Sequence, residues 1–244
     1  MLTHRRRRVL IAALAGATLA ALGITVASSH ATSSDSATAA SGTPVELPMS
    51  NPNTPAGKFT TLKAGVTYRA SAFPIALRVT TADGSWAGAQ WKVSAHGKLA
   101  FGRAAVVQGP VARPPRGGIE LETAFGPTPS VAATITRLRT GGSGVTLKKP
   151  TPVKIAGYSG RQFDGEVWGK WGHGFIPFSP KTHGGSPPDE FYLQKGEAFR
   201  LIALNVRGKT VVLALASMEL PAEQFPAFLT SANRLLKTLK FPAS

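Results

Sequence analysis

The chain has no cysteine in its 244 residues. That excludes a disulfide framework, thiol catalysis and lipidation of a cysteine behind a leader, so any folded domain is held by its apolar core alone. Acidic residues are also scarce, with 12 Asp and Glu against 28 Lys and Arg and a formal net charge of +16. The basic residues are scattered and form no run resembling a nucleic-acid motif, so nucleic acid is not an expected partner.

What the chain does have begins with an address. Arg5 to Arg8 are four consecutive arginines, followed by the uncharged residues from Val9 to Val26 and then by Ser29 and Ala31. A positive start, an apolar middle and small residues at the end make the order of a secretory signal over residues 1–31. Arg6-Arg7-Arg8-Val9-Leu10 also fits the twin-arginine pattern of export after folding. The alternative is an uncleaved N-terminal membrane anchor, since the uncharged run is at the lower edge of spanning length. Without the leader's four arginines the chain carries 24 basic and 12 acidic residues, a net charge of +12. Outside a cell, that balance favours a cell-wall polymer, an anionic lipid surface or acidic polysaccharide as partner, or else serves solubility alone. Residues 32–56 are rich in Ser, Thr, Ala, Pro and Asn and read as a disordered linker, because such a composition buries too little surface to offset its ordering entropy. Residues 57–242 then suit a single domain that buries about 70% of its extended surface.

Within that domain the early signals are strands. "KFTTL", "VTYRA", "IALRVT", "WKVSA", "KLAFGRAAVV" and "GIELETA" are β-branched and aromatic runs separated by turn residues. The period changes in "PTPSVAATITRLRTGG", where Val131, Ile135 and Leu138 share one helical face and Thr128 or Ser130 can cap, predicting a helix over 129–139. "EAFRLIALNV" and "KTVVLALAS" flank Arg207-Gly208 and predict a two-residue hairpin. Both arms are apolar on both faces, which belongs to the centre of a sheet covered on each side. From Phe225, apolar residues at 225, 228, 229, 232, 235, 236 and 239 form one helical stripe, with Arg234 and Lys237 suiting the negative end of the dipole.

The order helix, strand, "VKIAGYSGRQFDG", insertion, "FRLIALNVRGKTVVLALAS" and "PAEQFPAFLTSANRLLKTLKF" resembles small secreted and lipid-anchored actinobacterial proteins of the LpqN type. The resemblance covers about 129–241 and departs from that family in lacking a lipobox cysteine. It implies an α+β fold of the PsbP-like kind, an antiparallel β-sheet flanked by helices with the C-terminal amphipathic helix packed on the sheet. Its marks are core patterns, so it brings no catalytic residues.

Chemistry must be sought residue by residue. Gly157-Tyr158-Ser159-Gly160-Arg161 approaches a nucleophile elbow, but has arginine in place of the last glycine and no helix behind it, so a structural turn is the simpler reading. His173 and His183 with Asp189 or Glu190 match no known metal-ligand spacing. Asp164 and Glu166, two apart on a strand, share a face and could divide acid and base roles, although an ion pair with Arg161 is the simpler reading. "GKWGHGFIPFSPKTHGGSPPDEF", from Gly169 to Phe191, is dense in glycine, proline and aromatics without periodicity and reads as a long connection. Trp168, Trp171, His173, Phe175, Phe178 and His183 in or beside it are the candidate ligand-binding residues. They form either a hydrophobic cluster packed on the sheet or an exposed contact surface whose histidines add pH sensitivity.

Taken together, these features predict a monomeric, exported, non-enzymatic binding or interaction domain at the cell envelope, without cofactor or metal, whose partner is an anionic envelope component or an envelope protein. A secreted hydrolase or lyase using His173 or His183 with Asp164 or Glu166 is the first alternative. An accessory subunit of a membrane complex is the second. If the leader is removed, mass spectrometry of the exported protein will show a chain beginning at Thr32; an intact N-terminus would establish the anchor instead.

Overall fold

The computed structural model describes residues 42–49, 59–93, 96–103, 117–123, 130–140, 144–168, 173–177, 190–217 and 222–243. The leader read over 1–31 lies outside them. In chain order the first strands are β1 (Val45–Glu46), β2 (Thr60–Thr61), β3 (Thr67–Arg69), β4 (Arg78–Thr80), β5 (Trp86–Val93), β6 (His96–Arg103) and β7 (Gly118–Thr123). The period turns helical in α1 (Val131–Thr140). It then returns to strands in β8 (Val145–Leu147), β9 (Thr151–Ile155), β10 (Tyr158–Val167), β11 (His173–Pro177), β12 (Glu190–Gln194), β13 (Ala198–Val206) and β14 (Lys209–Ala216), before α2 (Phe225–Lys237) closes the order. This is the expected α+β class.

The main sheet has nine strands in the order β2-β5-β6-β7-β14-β13-β10-β8, with β9 also paired to β10. Its centre is the predicted hairpin, β13 antiparallel to β14 with Val206 opposite Lys209. Arg207 and Gly208 have φ of 53° and 77°, the doubly left-handed turn whose twist matches the flanking strands. The Gly208 N–H donates to Asn205 Oδ1 at 2.9 Å and fixes that turn. Alternation then sends Ile202, Leu204, Val206, Val211, Leu213 and Leu215 to one face, and Phe199, Leu201, Ala203, Val212, Ala214 and Ala216 to the other. Each set is buried in its own core.

Helix α2 covers the first face. Phe225, Phe228, Ala232, Leu235 and Leu236 of its stripe are buried, and Leu239 just beyond it is as well. Helix α1 covers the second through Ile135 and Leu138. Ser130 Oγ accepts the Ala133 N–H at 3.1 Å, the cap expected of that serine. On β10, Gly165 lets the chains approach, because a Cβ there would collide with the Phe199 ring and lie 2.7 Å from the Thr146 carbonyl oxygen.

A second sheet places β3 between β1, which runs parallel to it, and the antiparallel β4. The residues after α2 stitch onto its edge: the Arg78 and Lys240 backbones exchange hydrogen bonds of 2.9 and 2.8 Å. Thr238 Oγ1 also donates to the Thr80 carbonyl at 2.7 Å.

The linker expected over 32–56 is corrected here, because part of it belongs to the fold. Leu47 is fully buried in the α2-side core, and the Gln90 N–H donates to the Pro48 carbonyl at 2.9 Å. Composition averaged over the segment hid a stretch, Val45 to Met49, that finds strands to pair with.

Glu46 anchors this entry. Its Oε1 accepts from the Ser71 N–H at 2.9 Å, the Ser71 hydroxyl at 2.6 Å and the fully buried Gln90 Nε2 at 2.6 Å, while Arg69 Nε donates to Oε2 at 2.9 Å. Partial burial pushes the Glu46 carboxyl pKa up, but these donors together outweigh it and lower the value from 4.5 to about 2.

Two predictions follow from this packing. Large side chains of the α2 stripe contribute about 1.5–3 kcal/mol each, so Leu235→Asp should abolish accumulation of soluble protein; a variant that melts like the parent would show that the stripe does not face the core. Because the Glu46 pKa is depressed on folding, its contribution is fully present above pH 4.5 and lost as pH falls through about 2. Glu46→Gln should therefore cost about 1 kcal/mol at neutral pH, after allowance for the partial exposure of the pair. Chemical denaturation across that window should show the parent losing its advantage over the variant as the acid is protonated.

Candidate functional site

The aromatic stretch begins where β10 ends. Val167 is buried and its N–H donates to the Glu197 carbonyl at 3.0 Å, while the next side chain, Trp168, is 60% exposed. The expected structureless connection contains a regular element, since β11 and β12 pair antiparallel as a two-stranded sheet apart from the main one. Its register sets His173 opposite Gln194 and Phe175 opposite Tyr192. Pro177 ends β11, a position that proline tolerates because it donates no ladder hydrogen bond beyond it. At the base the Gln194 N–H donates to Glu197 Oε2 at 2.8 Å, and Leu193 is buried with Phe199 and Leu201 on the α1 side of the sheet. Of the six candidate residues, Trp168 is exposed, and His173 and Phe175 lie on the β11 backbone. Trp171, Phe178 and His183 fall outside the described residues. Glycine and proline masked the strands in the sequence; the apolar and aromatic runs Phe175-Ile176 and Phe191-Tyr192-Leu193 were their signal.

Asp164 has a different partner from the one expected. Asp164 stands directly opposite Arg200 across β10 and β13, and the guanidinium grips it with Nε to Oδ1 at 2.6 Å and Nη2 to Oδ2 at 3.0 Å. Arg161, three residues back on the same strand, is exposed. A cross-strand pair wins because directly opposed residues need no reach, whereas residues three apart on one strand point to opposite faces. Asp164 is thus held as one arm of a bidentate ion pair, and Glu166 is exposed. The near-elbow around Ser159 is the β9–β10 hairpin, with Ala156 and Gly157 at φ of 51° and 85° and Tyr158 opposite Ile155. No group of three metal-ligating side chains occurs among the described residues.

A site that the sequence reading missed lies between that hairpin and α2. A cleft of about 820 Å³ is floored by Ile155, Ile202 and Leu236, with Gln162 beside Ile202, and walled on the helix side by Asn233, Arg234 and Lys237. Positions 233, 234 and 237 fall on one helical face, next to the apolar stripe that packs on the core. Among the described residues no acidic side chain lines the cleft, and neither Arg234 nor Lys237 has an ion-pair partner. Lys154 also lies on its edge, but strand alternation turns its side chain away from the face of Val153 and Ile155. The two helix cations therefore carry the charge of the cleft. The sequence explained both by the helix dipole, and nothing in it brings β9 alongside them.

No family model matches the chain, and no curated protein matches it. Among solved structures, a Pseudomonas aeruginosa protein of unknown function is similar at 12% identity and a TM-score of 0.37, over 64% of this chain and 99% of its own. LpqN of Mycobacterium tuberculosis, a protein involved in cell envelope biogenesis, is similar at 12% identity and a TM-score of 0.27, over 82% of this chain and 90% of its own. These likenesses are too distant to assign a family or an activity. No helix among the described residues is long and apolar enough to cross a membrane.

Proposed function

We propose that this protein is an exported, non-catalytic binding domain of the cell envelope that engages an anionic envelope component. The observation that supports the reading is electrostatic: the chain outside the leader carries +12, and Arg234 and Lys237 stand over an open cleft without acidic partners among the described residues. Unpaired cations beside apolar surface attract polyanions by a long-range field and hold them by short contacts. In this proposal Trp168 carries a second contact surface, to which the sequence candidates Trp171, His173, Phe175, Phe178 and His183 are assigned as further contacts. An exposed tryptophan offers a flat apolar face with a polar edge, suited to a sugar ring or a partner groove.

Retention on isolated cell envelopes tests the proposal. It should fall steeply as salt rises towards roughly 0.5 M, where the screening length is only a few ångströms. Trp168→Ala should weaken it further, by about 1 kcal/mol. Retention that is indifferent both to salt and to loss of Trp168 would overturn the reading.

A further inference from the structure

We infer that the cleft between α2 and the β9–β10 hairpin is a binding site for a single anionic phospholipid, with its acyl chain on the apolar floor and its phosphate at Arg234 and Lys237. This rests on the proposed envelope-binding role and gives it a site and a ligand class. Three features select an amphiphile over a bare anion or a neutral apolar ligand. The volume of about 820 Å³ falls in the range of about 300–1,000 Å³ that small-ligand sites occupy. The floor is aliphatic except for Gln162, which stands opposite Ile202, and Ile155 is only partly covered by its own core. The charge is confined to one wall, where Arg234 and Lys237 sit one helical turn apart and bring two sets of donors to one point. A phosphate suits that wall, because guanidinium and ammonium groups donate to its oxygens in charge-assisted hydrogen bonds. Neither cation is needed for packing: both side chains are exposed.

Other clusters carry less. The hollow beside Ser130 and Arg161 amounts to a helix N-terminus with one arginine. The inward donors of Arg137 on α1 are buried without partners, and burial lowers its pKa, but no described cavity opens onto them.

The test is calorimetric titration of the purified full-length chain with dihexanoyl phosphatidylglycerol below its micelle concentration, beside dihexanoyl phosphatidylcholine and inorganic phosphate. The phosphatidylglycerol should bind saturably at one site per chain, more tightly than the zwitterionic lipid, and phosphate alone should not bind measurably. Replacing both cations, Arg234→Gln with Lys237→Gln, should weaken that binding about thirtyfold without changing the melting temperature. Asn233→Trp, which fills the cleft from an exposed helix position, should abolish it while leaving the charge intact. Equal binding of inorganic phosphate would make the site a simple anion site and overturn the inference, as would binding untouched by either variant. A null titration also overturns it, whether a protein or the chain's own N-terminal segment occupies the cleft. If the titration fails while salt-sensitive retention on envelopes persists, the broader role stands without this site; if both fail, both readings fall.

Discussion

The β13–β14 hairpin is apolar on both faces, and both helices and the flanking strands are arranged to keep water from those faces. A strand pair of this kind cannot sit at an edge or under solvent, because either would expose a row of valine, leucine and isoleucine. The chain meets the requirement with β7 and β10 on the flanks, α2 above and α1 below. With no cysteine present, this double cover has no covalent support. The close approach at Gly165 and the capped start of α1 are local consequences of fitting the covers to the sheet.

The two covers are unequal, and the function proposed for the protein comes from their difference. The α2 core also takes in the small sheet and the entering segment around Leu47, while the α1 core is smaller and borrows Leu193 from β12. Helix α2 therefore does two jobs with adjacent stripes. One stripe is buried; the next faces the β9–β10 hairpin across an open cleft. The hairpin reaches that position because β10 is long enough to pair with β9 near its start and β8 near its end, so its first half projects past β8. Two surfaces result on opposite ends of β10: the cationic cleft by the turn, and Trp168 with the β11–β12 hairpin at the other end.

The polar groups follow the same economy of position. Asp164 and Arg200 are partners because the register of β10 on β13 sets them face to face. Glu46 is held by Ser71, Gln90 and Arg69 because β1 runs beside β3 and its following residues reach β5. In both cases the carboxylate is part of the scaffold, including Asp164, for which an acid or base role was open in the sequence.

Local pattern was enough to read the strands between Thr60 and Thr123, the helix beginning after Ser130, the hairpin at Arg207-Gly208 and the buried stripe of α2. Each depends on contacts within a few residues or on periodicity that the fold preserves. The stretch from Val145 to Val167, by contrast, reads as two strands or one long bent one and is three. Three features escaped that reading: the strand at Val45–Glu46, the pairing of β11 with β12, and the cleft beside Arg234 and Lys237. Each is made by residues far apart in the chain, and pairing or proximity over such distances leaves no trace in composition or period. The amphipathicity of α2 was written in its own order of residues; which element would stand opposite its polar edge was decided by the register and length of β10.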